Sequence, residues 1–314
     1  MKFFSFELLT CTFLGCFPLL ISAQNMINDP IVFLESFIPQ AAEKEKDVMA
    51  ATWALEIEGT QSAADKKTEC DFENISLFNN QTIYDHLKEW TQIQTLSSEM
   101  KRELAVLLLE FKKYSVQTDI QQAIAAKESE IILSYANFRP EINGQSVTEN
   151  EIREILKKET DPIKRKQAWE ASKAIGEIWA PQILDLVSLR NEAAESLGYR
   201  DYFQMQLDLQ EVDEEWLFKT FDDLQIRSEI AYDSFLKEIE QNQCQRFNVS
   251  TQELGPWAWN EPFGQENPLD ISDLDALVKN MDLCKTCSEF YQNMGFDIEP
   301  ILQRSDLWER PEIG

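Results

Sequence analysis

Apolar residues recur along most of this chain at steps of three and four, the spacing that lines one side of an α-helix. Leu104, Leu107, Leu108 and Phe111 make one such stripe within residues 98–136. Ile152, Ile155 and Leu156 make a shorter one. Leu217, Phe221, Leu224, Ser228, Ala231 and Phe235 continue the pattern along a helix that starts near Asp213. Nowhere do several short alternating segments with turn signals succeed one another, as strands would require. No internal repeat of fixed period is visible. The pattern predicts an all-α fold.

Local punctuation places the ends of these helices. Residues 31–58 read as helical, with Pro39 forcing a kink or a restart because its ring meets the carbonyl four residues back. Residues 59–97 are more polar and predict loops and short helices. Pro140 and the Asn143-Gly144 turn signal interrupt the pattern in "RPEINGQSV". Thr148 and Glu151 then have the spacing of a capping box. Asp161-Pro162 starts the next helix, with an acid at the cap and proline at the first position, where no amide donor is missed. From Pro162 to Leu197, Trp169, Ile175, Trp179, Ile183, Leu186 and Val187 share a broad apolar face. One helix of about 36 residues, about 54 Å long at ~1.5 Å per residue, is expected there, kinked at Pro181. Gly198 supplies a left-handed stop, and Asp201 with Gln204 caps a new helix beyond it. "GPWAWNEPFGQENPL", residues 255–269, ends the helical regularity and reads as a hinge or a long ordered loop. A shorter helical stretch around Leu274, Leu277, Val278 and Met281 comes next, and then "CKTCSEFYQNMGF" up to Gly295.

Composition narrows the function classes. The 314 residues carry 29 basic and 56 acidic side chains, a formal charge of −27. A nucleic-acid binder would need a basic face, and that balance argues against one and against docking on anionic lipid. Residues 1–23 read as a secretory signal peptide: Lys2, an apolar run from Thr10 to Ile21, and a small-residue end at Ala23. The run is too short for a membrane span, and no other segment is long enough to be one. The chain is therefore expected to be secreted, or periplasmic in a bacterium, with residues 24–138 and 139–314 as two helical regions. After removal of the signal the charge is unchanged, and Cys70, Cys244, Cys284 and Cys287 remain as disulfide candidates. Asn74, Asn80 and Asn248 stand in glycosylation sequons.

Candidate chemistry is sparse. His86 is the only histidine, so neither an HExxH zinc helix nor a histidine-rich metal site exists in this sequence. "YDHLKEW" reads as an ordinary polar helix. Cys284-Lys285-Thr286-Cys287 lacks the βαβ setting of a redox pair, and as a zinc knuckle it would have only Cys70 and Cys244 to add. Glu211, Asp213, Glu214 and Glu215 gather at a helix start, where the helix dipole favours acids without any acid–base role. Trp169, Trp179, Trp257 and Trp259 could line a groove, although at helical spacing the first two are core residues. Asn191 and Glu192, side by side in "LVSLRNEAAESLGYRDYF", are either a reactive pair or part of a corner between helices.

Four segments carry a family resemblance: "NEIREILKKETDPIKRKQAWEASKAIG", "LVSLRNEAAESLGYRDYF", "PWAWNEPFGQENP" and "ILQRSDLWER". Ala168-Trp169-Glu170, and the helix around Asn191 running into Gly198-Tyr199 and Asp201-Tyr202, are the most specific pieces. In this order, over residues 139–311, they resemble zinc metallopeptidases of the M2/M3 type, angiotensin-converting-enzyme-like and oligoendopeptidase-like. Residues 31–138 agree only in being helical and charged. The resemblance implies long helices forming a lobe of a two-lobed gluzincin-type peptidase, with peptides as substrates and zinc as cofactor. In that family an HExxH helix and a later glutamate hold the zinc, and the motif's own glutamate activates water. Those elements come after the segment resembling "SDLWER", so no residue of this chain inherits a catalytic or metal-binding role. Ala258 stands where relatives often have histidine. The expectation is an incomplete peptidase lobe, itself inactive; the alternative is a non-catalytic helical scaffold that binds peptides or proteins.

Overall fold

The computed structural model describes residues 29–266, Pro268 and 278–307. The signal-peptide residues 1–23 and the stretch at Leu274 and Leu277 lie outside the described residues. The fold is all-α, as the periodicity predicts, with one two-stranded hairpin among the described residues. It divides into two compact units, and the chain crosses between them three times rather than once: residues up to Asn137 and Trp179–Lys219 form the first, Phe138–Ile178 and Thr220 onward the second.

The first unit begins with α1 (Pro30–Glu58). Asp29 caps it by accepting from the Ile31 amide at 2.8 Å, and Gly59 ends it at φ 58°. Pro39 neither restarts nor divides this helix. Pro39 and Glu35, whose carbonyl Pro39 leaves unbonded, are both exposed, so water can take that carbonyl. The polar stretch after Gly59 is more helical than predicted. It forms α2 (Gln61–Phe78) and α3 (Gln81–Trp90), whose N-caps Thr60 and Asn80 accept from Ala63 and Ile83. Residues 98–136 fold as two helices, α4 (Ser98–Lys113) and α5 (Thr118–Asn137). The corner between them is tied by the Gln121 amide, which donates to the carbonyls of Tyr114 at 2.7 Å and Val116 at 2.6 Å. α1 packs on α2 and α5, and α3 packs on α4. The core gathers Phe33, Phe37, Phe78, Leu87 and Trp90 around Leu104, Leu107 and Phe111, so the predicted α4 stripe is its inner face.

The predicted long helix after Pro162 is two helices, α7 (Pro162–Lys173) and α8 (Ile175–Ser196). The break falls at Ala174, ahead of Gly176, and Pro181 lies inside α8. As at Pro39, the proline and the residue four back, Glu177, are exposed, so no helix end is forced. α8 stops at Gly198, φ 87°, where the amides of Gly198 and Tyr199 return to the carbonyls of Glu195 and Ala194. This is the paired closure of a Schellman motif. α9 (Tyr202–Leu209) starts at once under the Asp201 cap and packs on α4.

In the second unit, β1 (Glu141–Ile142) pairs antiparallel with β2 (Gln145–Ser146). Asn143 and Gly144 both take positive φ, at 53° and 77°, as a two-residue turn matched to strand twist requires. α6 (Glu149–Lys158) carries the predicted capping box in full, and it buries Ile152 and Leu156 against Ala168 of α7. Phe247, Trp257 and Ala258 form a second cluster, and the half-buried Trp169 packs against both. Trp257 and Ala258 belong to a short 3-10 turn, Pro256–Ala258. α11 (Leu283–Asn293) and α12 (Glu299–Leu302) complete the described elements.

α10 (Glu214–Phe247) runs for 34 residues. Its predicted stripe is only partly inward: Ile239, Gln243 and Phe247 are buried, whereas every residue from 221 to 235 is exposed. Ile230 is 81% exposed and Phe221 58%. The periodicity marked an apolar side without supplying anything for it to pack against.

Candidate functional site

The residues that looked reactive in sequence turn out to be joinery. Asn191 Oδ1 accepts from the Tyr202 amide at 3.0 Å, which pins α9 to α8 across the Gly198 corner. Its neighbour Glu192 is exposed. Glu211 takes a two-pronged bond from Arg102 at 2.6 and 2.5 Å, and that pairing lowers its carboxyl below the usual range. Asp213 caps α10 through the Trp216 amide at 2.7 Å, and Glu214 meets Arg200 at 2.9 Å. The acids are thereby divided among separate structural partners, and no carboxylate pair forms.

His86 stacks on Trp90 with ring centroids 5.4 Å apart and lies 3.8 Å from Glu89. Among the described residues, no three of His, Cys, Asp and Glu converge as metal donors. The four candidate cysteines are free thiols in this structure, so the expected disulfides are not formed in it. Cys70 is buried in α2, where burial pushes its thiol up, and Cys284 and Cys287 share α11. Of the sequon residues, Asn80 and Asn248 are exposed. Asn74 is 7% exposed inside α2, and a glycan does not fit that position of the folded chain. Trp169 donates its indole N–H to the Pro262 carbonyl at 3.1 Å, and Trp257 is buried, so neither offers a free face.

Two constellations that the sequence did not announce carry the polar interior. The first is Arg165 on α7, which is fully buried. Its guanidinium donates to four main-chain carbonyls: Trp257 at 3.2 Å, Glu159 at 3.0 Å, Trp259 at 2.9 Å, and Leu156. The Phe247 ring lies 4.4 Å from its central carbon. Burial, reinforced by Arg246 and opposed by Glu159, lowers its pKa to about 10, which leaves it charged at neutral pH. A neighbouring carboxylate, Glu261, folds the same loop back by accepting from the amides of Phe263 at 2.7 Å, Gln265 and Glu266. Burial tends to raise this carboxyl, and those amides outweigh it and bring it below the usual range. Arg165 and Glu261 together make "PWAWNEPFG" a fixed loop rather than a hinge.

The second constellation is a cavity of about 220 Å³ in the first unit, walled by α2, α4, α5, α8 and α9 and the α4–α5 corner. Two ion pairs sit in its wall: Lys67–Asp71 at 2.6 Å, with 8% and 14% side-chain exposure, and Arg190–Glu128 at 2.7 Å. Burial raises the Asp71 carboxyl, the Lys67 hydrogen bond opposes that rise, and Glu128 adds to it. Three polar atoms of lining residues are buried without a partner: Asn74 Oδ1, Gln121 Oε1 and Gln206 Nε2.

The sign of the Asp71 shift gives a pH signature. A carboxyl whose folded pKa exceeds its ordinary value of 3.8 holds its proton more tightly in the native state, so its contribution is most favourable at low pH and declines as pH rises through the folded value. Lys67→Met removes the bond that limits this decline. The variant is expected to lose about 2 kcal/mol at pH 7, less than the ~3–5 kcal/mol of a fully enclosed pair because Asp71 can take up a proton instead. Near pH 3 the loss should be small. Urea unfolding at the two pH values measures it, and a penalty independent of pH would refute the assignment.

In the comparison with known families, the model of peptidase M2, described as angiotensin-converting enzyme, matches residues 27–230. No curated protein matches the chain. The matched span covers α1 to α9 and the first half of α10. It extends the resemblance over residues 27–138, where the sequence showed only charged helix, and stops before "PWAWNEPFGQENP" and "ILQRSDLWER".

Proposed function

Because the chain belongs to the peptidase M2 family, that of angiotensin-converting enzyme, over more than half of its length, we propose that it forms a helical lobe that lines the substrate groove of an exported zinc peptidase. The family match carries this reading, and peptides are the substrate class it implies. The described side chains do not fit zinc themselves. The lone imidazole, His86, is stacked on Trp90, and no donor triad forms among the described residues. The contribution of this lobe is therefore shape: a helical frame from which Phe221 and Leu224 of α10 stand out as apolar wall. Export is supported by residues 1–23 and by the exposed sequons at Asn80 and Asn248, with an extracellular or periplasmic destination. Among the described residues no helix is long and apolar enough to cross a membrane.

Purified chain incubated with a fluorogenic peptide, with and without added zinc, is expected to give no cleavage above buffer. Chelator-sensitive hydrolysis would overturn the inactive-lobe reading. A non-catalytic scaffold is the second reading, favoured by the same exposed stretch of α10. Tight, saturable peptide or protein binding by a cooperatively folded monomer would distinguish it.

A further inference from the structure

We propose that the cavity in the first unit binds a small zwitterion, a free α-amino acid with a short aliphatic side chain. Its volume of about 220 Å³ is the first support. At the ~30 Å³ that a molecule takes up in liquid water, it admits about seven non-hydrogen atoms, close to the size of valine. The second support is the set of unpaired atoms. Asn74 and Gln121 are each 7% exposed, and their carbonyl oxygens have no donor, while the Gln206 amide nitrogen has no acceptor. The Gln121 amide cannot be turned round, because its nitrogen is committed to two carbonyls. At Asn74 the amide contacts the Tyr114 hydroxyl at 3.5 Å, which can donate or accept, so one amide atom is left unpaired in either orientation. Leaving such atoms buried and unbonded is unfavourable, so a ligand that pairs them is favoured.

Charge bookkeeping selects the class. The lining ions are already matched: Asp71 with Lys67, Glu128 with Arg190, and Lys113 with Glu110 at 4.0 Å. A ligand with net charge would enter uncompensated, which a partly enclosed site penalises. A zwitterion is neutral overall and still offers both halves: an ammonium for the Asn74 and Gln121 oxygens, and a carboxylate for the Gln206 amide and the Lys113 ammonium. The remaining wall suits an aliphatic side chain, since Val116, Ile124, Ala125 and Met205 all face the cavity. This assignment stands on the cavity alone and does not depend on the peptidase reading.

The test is isothermal titration of the full chain with L-leucine, L-leucinamide and 4-methylpentanoate. Leucine should bind saturably, and each analogue, lacking one charged end, should bind at least about tenfold more weakly. Gln206→Glu places a carboxylate against the ligand's own and should weaken leucine about tenfold, with the far-ultraviolet circular dichroism unchanged. Absence of saturable heat with leucine up to about 10 mM would overturn the proposal. So would equal affinity for all three compounds, which would mark the cavity as an unselective apolar pocket.

Discussion

Replacing Arg165 by alanine should cost about 4 kcal/mol of folding stability, within the ~3–5 kcal/mol seen when one side of a buried charged network is removed. The residue is fully buried and bonds four main-chain carbonyls, those of Leu156, Glu159, Trp257 and Trp259. Deletion orphans acceptors that no side-chain change can retract, and each costs about 1–3 kcal/mol when unbonded. Relief from desolvating the guanidinium offsets part of that sum. Arg165→Met separates packing from hydrogen bonding, because it keeps the stem and drops the donors. It should still lose about 3 kcal/mol, since the carbonyls remain. Guanidinium unfolding followed by tryptophan emission measures both variants; a methionine variant as stable as the parent would show that the bonds contribute nothing net.

Phe111→Ala is the comparable lesion in the first unit. The ring has no solvent exposure and sits 5.4 Å from Phe37 and 5.3 Å from Phe78. Emptying such a site typically costs ~3–5 kcal/mol, of which ring–ring geometry contributes about 1. A loss of about 4 kcal/mol is expected, against about 1 for Phe111→Leu, which refills most of the volume. Equal losses for the two variants would mean that the site collapses freely and is not the packed centre of this unit.

The helices were legible in sequence because period and caps are local properties. The box of Thr148 and Glu151, the Asp161-Pro162 start, the Gly198 stop and the Asp201 cap each act within a few residues. Pro39 and Pro181 lie inside continuous helices, where the carbonyl each leaves unbonded faces solvent and can be taken by water. α10 misled, since an apolar stripe reports a preference for burial and not the presence of a partner. The polar interior could not be read at all. Arg165 stands between Lys164 and Lys166 and looks like one member of a solvated basic run. Asn74 looked like a glycan acceptor, whereas α2 turns it towards Tyr114, which is distant in sequence. The cavity needs five helices to exist, and no stretch of chain contains its pattern.

The Arg165 node has a genetic consequence. Its acceptors belong to the backbone, so missense changes at 156, 159, 257 or 259 alter side chains and leave the carbonyls in place. The donor half has no such redundancy. The two Arg165 bonds to carbonyls more than ninety positions downstream thus depend on a single codon, and second-site suppressors of its loss should not be sought among the residues it touches.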